Sequence, residues 1–278
     1  MKKSRYILAL VLFLSISFAI TPPVVPQIGT YQFHGAAGNE KVLVVRTADN
    51  ASLNIVFGGG YVGVLETAFG AGALQVGAKK KSLVTDVDLS YTLKLGALYG
   101  IHDAALYNTS NWGWTLGAFN STPDSVGDVI VSLYDPTNVT LLANLFWGMN
   151  ATVQNVAIYL AQLPTSVAQY LGAIVWEPNW GNIGNTVVHN AEIGELGILP
   201  GPAFFFYFHN CTETWTYDGT YGAWIGYKIV ANSTTIYEFS IELPAIAAIP
   251  GFETLFILGV SGFCTIGLIY LVMKKRNN

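Results

Sequence analysis

The groups of this 278-residue chain that could do chemistry are four histidines, two cysteines, seventeen carboxylates and seven tryptophans. His34, His102, His189 and His209 never pair at i, i+3 or i, i+4, so no helix carries a zinc motif. His209 and Cys211 fall two apart, on one face of an expected strand, but nothing supplies further ligands. Asp86 and Asp88 share a polar strand face that a cation would suit; a solvated face is the expectation. Gly58-Gly59-Gly60-Tyr61-Val62-Gly63 has the glycines of a phosphate loop. It follows a helix rather than a strand, and no Lys-Ser/Thr pair comes after it. No Gly-x-Ser-x-Gly elbow occurs. Trp112, Trp114, Trp176 and Trp180 suggest a sugar-stacking platform, against the plainer reading of core or sheet-edge packing. We expect no catalytic residue, no metal ligand, no cofactor and no enzyme.

The strongest signal is modification. Asn-x-Ser/Thr occurs at Asn50, Asn108, Asn120, Asn138, Asn150, Asn210 and Asn232. Chance would give about two such triplets at this serine and threonine content. Each asparagine that carries a glycan must reach solvent.

The two ends explain why such acceptors would be used. Lys2, Lys3 and Arg5 precede an apolar run from Tyr6 to Ile20, and Ser17-Phe18-Ala19 offers a small-residue cleavage site. Residues 1–19 read as a signal peptide. Leu255 to Met273 is uncharged, and Lys274, Lys275 and Arg276 follow at once. That pattern predicts a transmembrane helix over 253–273 with a basic cytoplasmic tail at 274–278, and the bulk of the chain outside. We expect a single-pass protein of the cell membrane. The stretch 20–252 keeps seven basic residues against sixteen acids, a net charge of −9. An acidic ectodomain excludes nucleic acid as a partner, because little is there to neutralise phosphates. Lys79-Lys80-Lys81 reads as a solvated turn or an edge-strand charge block. Cys211 alone lies outside the span that holds Cys264, so the ectodomain must rely on its core rather than on a disulfide.

Those groups need a scaffold, and the pattern of residues predicts an α+β one. After a lead-in at 20–27, residues 28–243 read as one extracellular domain, with a spacer at 244–252. Strands are expected at 28–35 and 41–47, joined as a hairpin, and at 72–78, 82–95, 103–107, 112–119 and 128–134. Residues 185–193 read as a further strand. A four-strand run is then expected at 203–209, 212–217, 221–231 and 234–243, turned by Asp218-Gly219 and Asn232-Ser233. In 85–95 strict alternation puts Val87, Leu89, Tyr91, Leu93 and Leu95 on one face. Short helices are expected from Asn50-Ala51-Ser52 to Phe57, broken by Gly58–Gly60, and over 61–69. Further helices are expected at 137–149, 151–163 and 164–175, in a stretch without charge from Pro136 to Trp176. Short connections favour antiparallel pairing. The expected fold is a large curved antiparallel sheet, a half-barrel at its limit, packed on a few helices.

Pro250, Gly251 and Phe252, followed by a span and then Lys274, Lys275 and Arg276, resemble the tripartite C-terminal sorting signals of archaeal surface proteins. In that family the Pro-Gly-Phe motif is recognised by an archaeosortase, which implies removal of the span and its replacement by a lipid. With the signal peptide and the acceptor triplets, the chain resembles an Asgard (Lokiarchaeal-type) surface protein. The segment from Thr214 to Gly222, continued by Tyr237 to Leu243, is similar to the last strands of secreted paralogues there. Whether the tail is cleaved or kept as a permanent anchor stays open.

The expected function is therefore a secreted, N-glycosylated, membrane-anchored surface protein with a binding or envelope-structural role. Two rivals stand beside it. One is a carrier of lipid or another apolar ligand in a half-barrel cavity. The other is an extracellular glycan hydrolase, which would need two carboxylates converging in a cleft. Self-association through the uncharged helices is a further option.

Overall fold

A computed structural model describes residues 31–94, 100–138, 162–198 and 204–242. The expected signal peptide, the transmembrane helix, the basic tail and most of the helical stretch after 138 lie outside the described residues. Among the described residues no helix is long and apolar enough to cross a membrane. The chain divides into two compact units, 1–240 and 241–278.

In chain order the elements are β1 (Glu40–Ala48), α1 (Asn50–Phe57), α2 (Tyr61–Phe69), β2 (Lys79–Lys94), β3 (Ile101–Thr115) and β4 (Ser125–Leu133). A 3-10 turn at Pro136–Asn138 follows, then α3 (Val167–Gly172), β5 (Trp180–Ile183), β6 (Thr186–Ala191), β7 (Leu196–Ile198) and β8 (Phe204–Phe206). The last three strands are β9 (Cys211–Tyr217), β10 (Trp224–Ala231) and β11 (Thr234–Ile241). Nine strands make one curved antiparallel sheet, a half-barrel, in the order β4-β3-β2-β1-β11-β10-β9-β6-β5. It consists of two meanders joined where the first strand lies beside the last. β7 and β8 pair with each other as a separate ribbon.

Bulges decide what faces inward. Between Trp112 and Thr115 β3 gains a residue on β2, and between Trp224 and Gly226 β10 gains one on β9. An extra residue bends the strand and resets its alternation. Trp114 therefore turns to the face of Leu43, while Trp112 stays on the opposite face, where the Lys81 ammonium sits 3.7 Å from its ring centroid. Trp224 likewise joins Tyr227 on the inner face.

The inner face is aromatic. Phe69, at the end of α2, has its ring centroid 4.8 Å from Tyr227, 5.1 Å from Phe239 and 6.0 Å from Tyr237. Each such pair adds about 0.5–1.5 kcal/mol beyond the area buried. α1 brings Phe57 against Phe205 and Tyr207 of the ribbon and its exit. At the other end Phe33, Tyr107 and Tyr134 pack together, and Tyr170 of α3 donates to the Leu133 carbonyl (2.9 Å). The outer face is polar along β6, β9, β10 and β11, where Thr214, Thr216, Lys228 and Glu238 line up.

Several expectations are corrected. Residues 31–35 are not a hairpin strand, because β2 and β11 already occupy both edges of β1; the backbone of this segment joins the fold through a bridge from Gln32 to Thr165, and its Tyr31 and Phe33 rings pack on Tyr170 and on Tyr107 and Tyr134. Residues 72–78 are turns. The strands expected at 103–107 and 112–119 are one strand, β3, since Asn108-Thr109-Ser110 continues its ladder. The alternation in β2 is reset by an extra residue between Asp88 and Tyr91, which sends Tyr91 to the face opposite Val87. The α1 cap is Asp49, whose Oδ1 accepts from the amides of Ala51 (3.1 Å) and Ser52 (3.2 Å). α3 starts after Ser166 rather than at Pro164, because 162–165 runs extended to bridge Ala223 and Gln32. The helices at 50–57 and 61–69 and the meander β9–β10–β11 form as expected. Residues 203–209 do not join that meander, since β8 pairs with β7.

Candidate functional site

Two groups of polar side chains enter the aromatic face. The first is built across β6 and β9, where His189 and Glu213 stand directly opposite each other. Both are 1% exposed. Glu213 Oε2 lies 3.0 Å from His189 Nδ1 and accepts from the Tyr207 hydroxyl at 2.6 Å; Glu213 Oε1 accepts from the Tyr227 hydroxyl at 2.5 Å. Glu195, in the turn before β7, places Oε1 2.9 Å from His189 Nε2, and its Oε2 accepts from the Glu192 amide. Trp180 lies flat on the imidazole, centroid to centroid 3.9 Å. Burial opposes charge on His189, but the hydrogen bonds and charges of Glu213 and Glu195 outweigh it and raise its pKa. Burial, with Glu213 alongside, also pushes the Tyr207 and Tyr227 hydroxyls and the Cys211 thiol well up. A carboxylate at each ring nitrogen favours the protonated imidazole and clamps the ring in place. In that form the ring has no free lone pair with which to act as a base.

The second group lines a cavity of about 190 Å³ between β1, β2, β3 and α2. Lys41 Nζ donates to the Trp224 carbonyl (3.0 Å) and Lys80 Nζ to the Phe69 carbonyl (3.3 Å). Trp114, Trp224 and Phe239 form its apolar walls. Burial, and then the neighbouring Lys80 ammonium, lower the pKa of Lys41 to about 8. Asp128 offers the nearest compensation: it raises the pKa of Lys80 against the larger effect of burial, and its Oδ2 accepts from Asn111 Nδ2 (2.7 Å) and from Ser125 Oγ. The expectation for Lys79–Lys81 is thus corrected. Lys80 points inward from an interior strand, and Lys81 lies over Trp112 with Glu40 3.7 Å away.

No protein-family model, no curated protein and no solved structure matches this chain.

Of the expected glycan acceptors, Asn50, Asn120, Asn210 and Asn232 are exposed. Asn50 opens α1, and Asn232 sits in the β10–β11 turn at φ 49°. Asn120 follows β3 and uses its carbonyl to accept from Trp112 Nε1. Asn210 precedes β9, where its Oδ1 accepts from the Ile193 amide (2.8 Å). Asn210 and Asn232 border one open depression of about 640 Å³. Asn108 is half-buried within β3, paired with Asp86 and Val129. Asn138 ends the 3-10 turn. Asn150, the motif Pro250, Gly251 and Phe252, and the charges Lys274, Lys275 and Arg276 lie outside the described residues.

The four tryptophans of the sugar-platform reading do not converge. Trp112 and Trp114 face opposite ways, Trp176 donates to the Leu171 carbonyl, and Trp180 stacks on His189. His209 lies in a bend before β9, its Nδ1 bonded to the Asn210 carbonyl, so it shares no strand face with Cys211. Asp86 and Asp88 are exposed, and Asp88 accepts from the Ser90 amide and hydroxyl. Sequence reasoning passed over His189 with Glu213 and Lys41 with Lys80. For Lys41 a signal existed, since period two puts it in phase with buried Leu43 and Val45.

Proposed function

We propose that this chain is a secreted, N-glycosylated protein displayed at the cell surface and held by its C-terminal segment, with a binding or envelope-structural role. The supporting observation is the exposure of Asn50, Asn120, Asn210 and Asn232, all at element ends, turns or loops where a bulky glycan fits without disturbing the sheet. The reading includes a Lokiarchaeal-type archaeal origin and processing at Pro250-Gly251-Phe252 by an archaeosortase-type enzyme. A non-catalytic role draws support from His189, clamped between two carboxylates, with its ring filling the gap that a glycan hydrolase would keep open between an acid and a base. A lipid carrier draws less support. Rings fill most of the described inner face, and the cavity there of about 190 Å³ is below the roughly 300–1,000 Å³ of drug-sized ligand sites.

The test is intact mass and lipid analysis of protein purified from its own membrane, together with protease added to whole cells. The expected results are a mass excess removed by deglycosylation and cleavage of the 31–242 region from outside. An unglycosylated chain in the cytosolic fraction would refute the proposal.

A further inference from the structure

The lysine-bearing cavity carries an inference that holds wherever the protein resides. An ammonium has three N–H donors. Lys41 and Lys80 each direct one at a backbone carbonyl. Among the described residues no carboxylate lies within ion-pair distance of either amine. Asp128 acts on Lys80 from further off and is already held by Asn111 and Ser125. Two cations and one anion leave a single positive charge in a half-buried space, where an unpaired charge is costly. The same space is walled by indole and phenyl rings that offer nothing to an anion's charge but suit an apolar body. Its small volume excludes a large ligand.

We infer that the cavity binds a small monoanionic organic carboxylate, its oxygens between Lys41 and Lys80 and its apolar part against Trp114, Trp224 and Phe239. The carboxylate supplies the one missing negative charge and takes the free donors of both amines, so the two ammoniums no longer repel each other uncompensated. The titratable groups facing the ligand are Lys41 from β1, Lys80 from β2 and Asp128 from β4. Because Lys41 loses its proton near pH 8 in the empty site, binding is strong below that pH and weakens above it.

Benzoate is the probe, titrated into the full chain at pH 6.5 and pH 9.5. Calorimetry and the fluorescence of Trp114 and Trp224 report binding; benzamide serves as the neutral isostere and inorganic phosphate as the anion without an apolar body. Expected are saturable benzoate binding at least about tenfold tighter than benzamide or phosphate and a loss of about tenfold or more by pH 9.5. Lys41→Gln and Lys80→Gln should each weaken benzoate by a similar factor, while Lys228→Gln on the outer face leaves it unchanged. Absence of saturable benzoate binding, equal affinity for benzamide, preference for phosphate, or unaltered binding in both lysine variants would each overturn the inference. Should a glutamine variant fail to fold, the ligand comparison and the pH series on the unaltered chain decide it alone.

Discussion

Replacing Glu213 tests the clamp on His189 most directly. In Glu213→Leu three buried donors, His189 Nδ1, Tyr207 OH and Tyr227 OH, lose their acceptor together. Breaking one side of a buried ion pair costs about 3–5 kcal/mol, and each hydroxyl left without a partner about 1–3 kcal/mol. These contributions share one pocket and overlap, so we expect a loss of about 4–6 kcal/mol against a total stability of about 5–15 kcal/mol. Glu213→Gln is milder, at about 1.5–3 kcal/mol, because its amide oxygen still accepts while a neutral His189 accepts from its N–H. Urea unfolding followed by tryptophan fluorescence reads both. With a slope of about 2 kcal/mol/M the leucine variant shifts the midpoint by about 2–3 M. The pH dependence adds a second reading. The folded pKa of His189 is raised above its unfolded value of about 6.5. Its stabilisation is therefore complete below about pH 6.5 and lost as pH rises through the folded value. Glu213→Gln should flatten that slope. If both variants unfold within about 0.5 kcal/mol of wild type, or if wild type gains stability as pH rises above 6.5 through this group, the clamp is not what we describe.

Three further outcomes can be checked. Gly222→Ala should lower stability by more than about 2 kcal/mol in a thermal melt, because φ is +73° and a Cβ would run into the Leu163 carbonyl oxygen. Phe69→Ala should cost about 3–5 kcal/mol, whereas Ile183→Ala, at a side chain 75% exposed, should fall within about 0.5 kcal/mol of wild type by the same denaturation assay. Cys211 is buried and its thiol is pushed up by burial and by Glu213; iodoacetamide followed by mass spectrometry should find it unmodified at pH 8 in the native protein and labelled once urea unfolds the chain.

What the sequence disclosed follows from how local each signal is. Gly58-Gly59-Gly60 ends α1 legibly, since Gly58 at φ +73° sits where a Cβ would come within 2.9 Å of the Phe208 ring. Asp218-Gly219 and Asn232-Ser233 mark the β9–β10–β11 meander because turn chemistry is written in adjacent residues. Bulges are not. Trp112 and Trp114 share a parity and part company through one extra residue. Tyr91 leaves the face of Val87 for the same reason. The pairing of His189 with Glu213 depends on the register of β6 against β9, and Glu195 arrives from a turn outside the sheet, so no spacing rule joins the three. Lys79-Lys80-Lys81 suggests a solvated turn or an edge-strand charge block because a run of three charges favours water, whereas the strand that holds it is flanked by β1 and β3 and turns Lys80 inward.

The junction of β1 with β11 has a consequence for biogenesis. As the polypeptide emerges during synthesis, β1 to β4 can assemble as soon as Leu133 is available. The partner on the far side of β1 is separated from it by roughly 190 residues. Until Thr234–Ile241 arrives, Val42-Leu43-Val44-Val45 presents an unsatisfied backbone edge of high aggregation tendency. A nascent chain stalled before residue 234 therefore keeps that edge open, and completion of the final strand is what seals it.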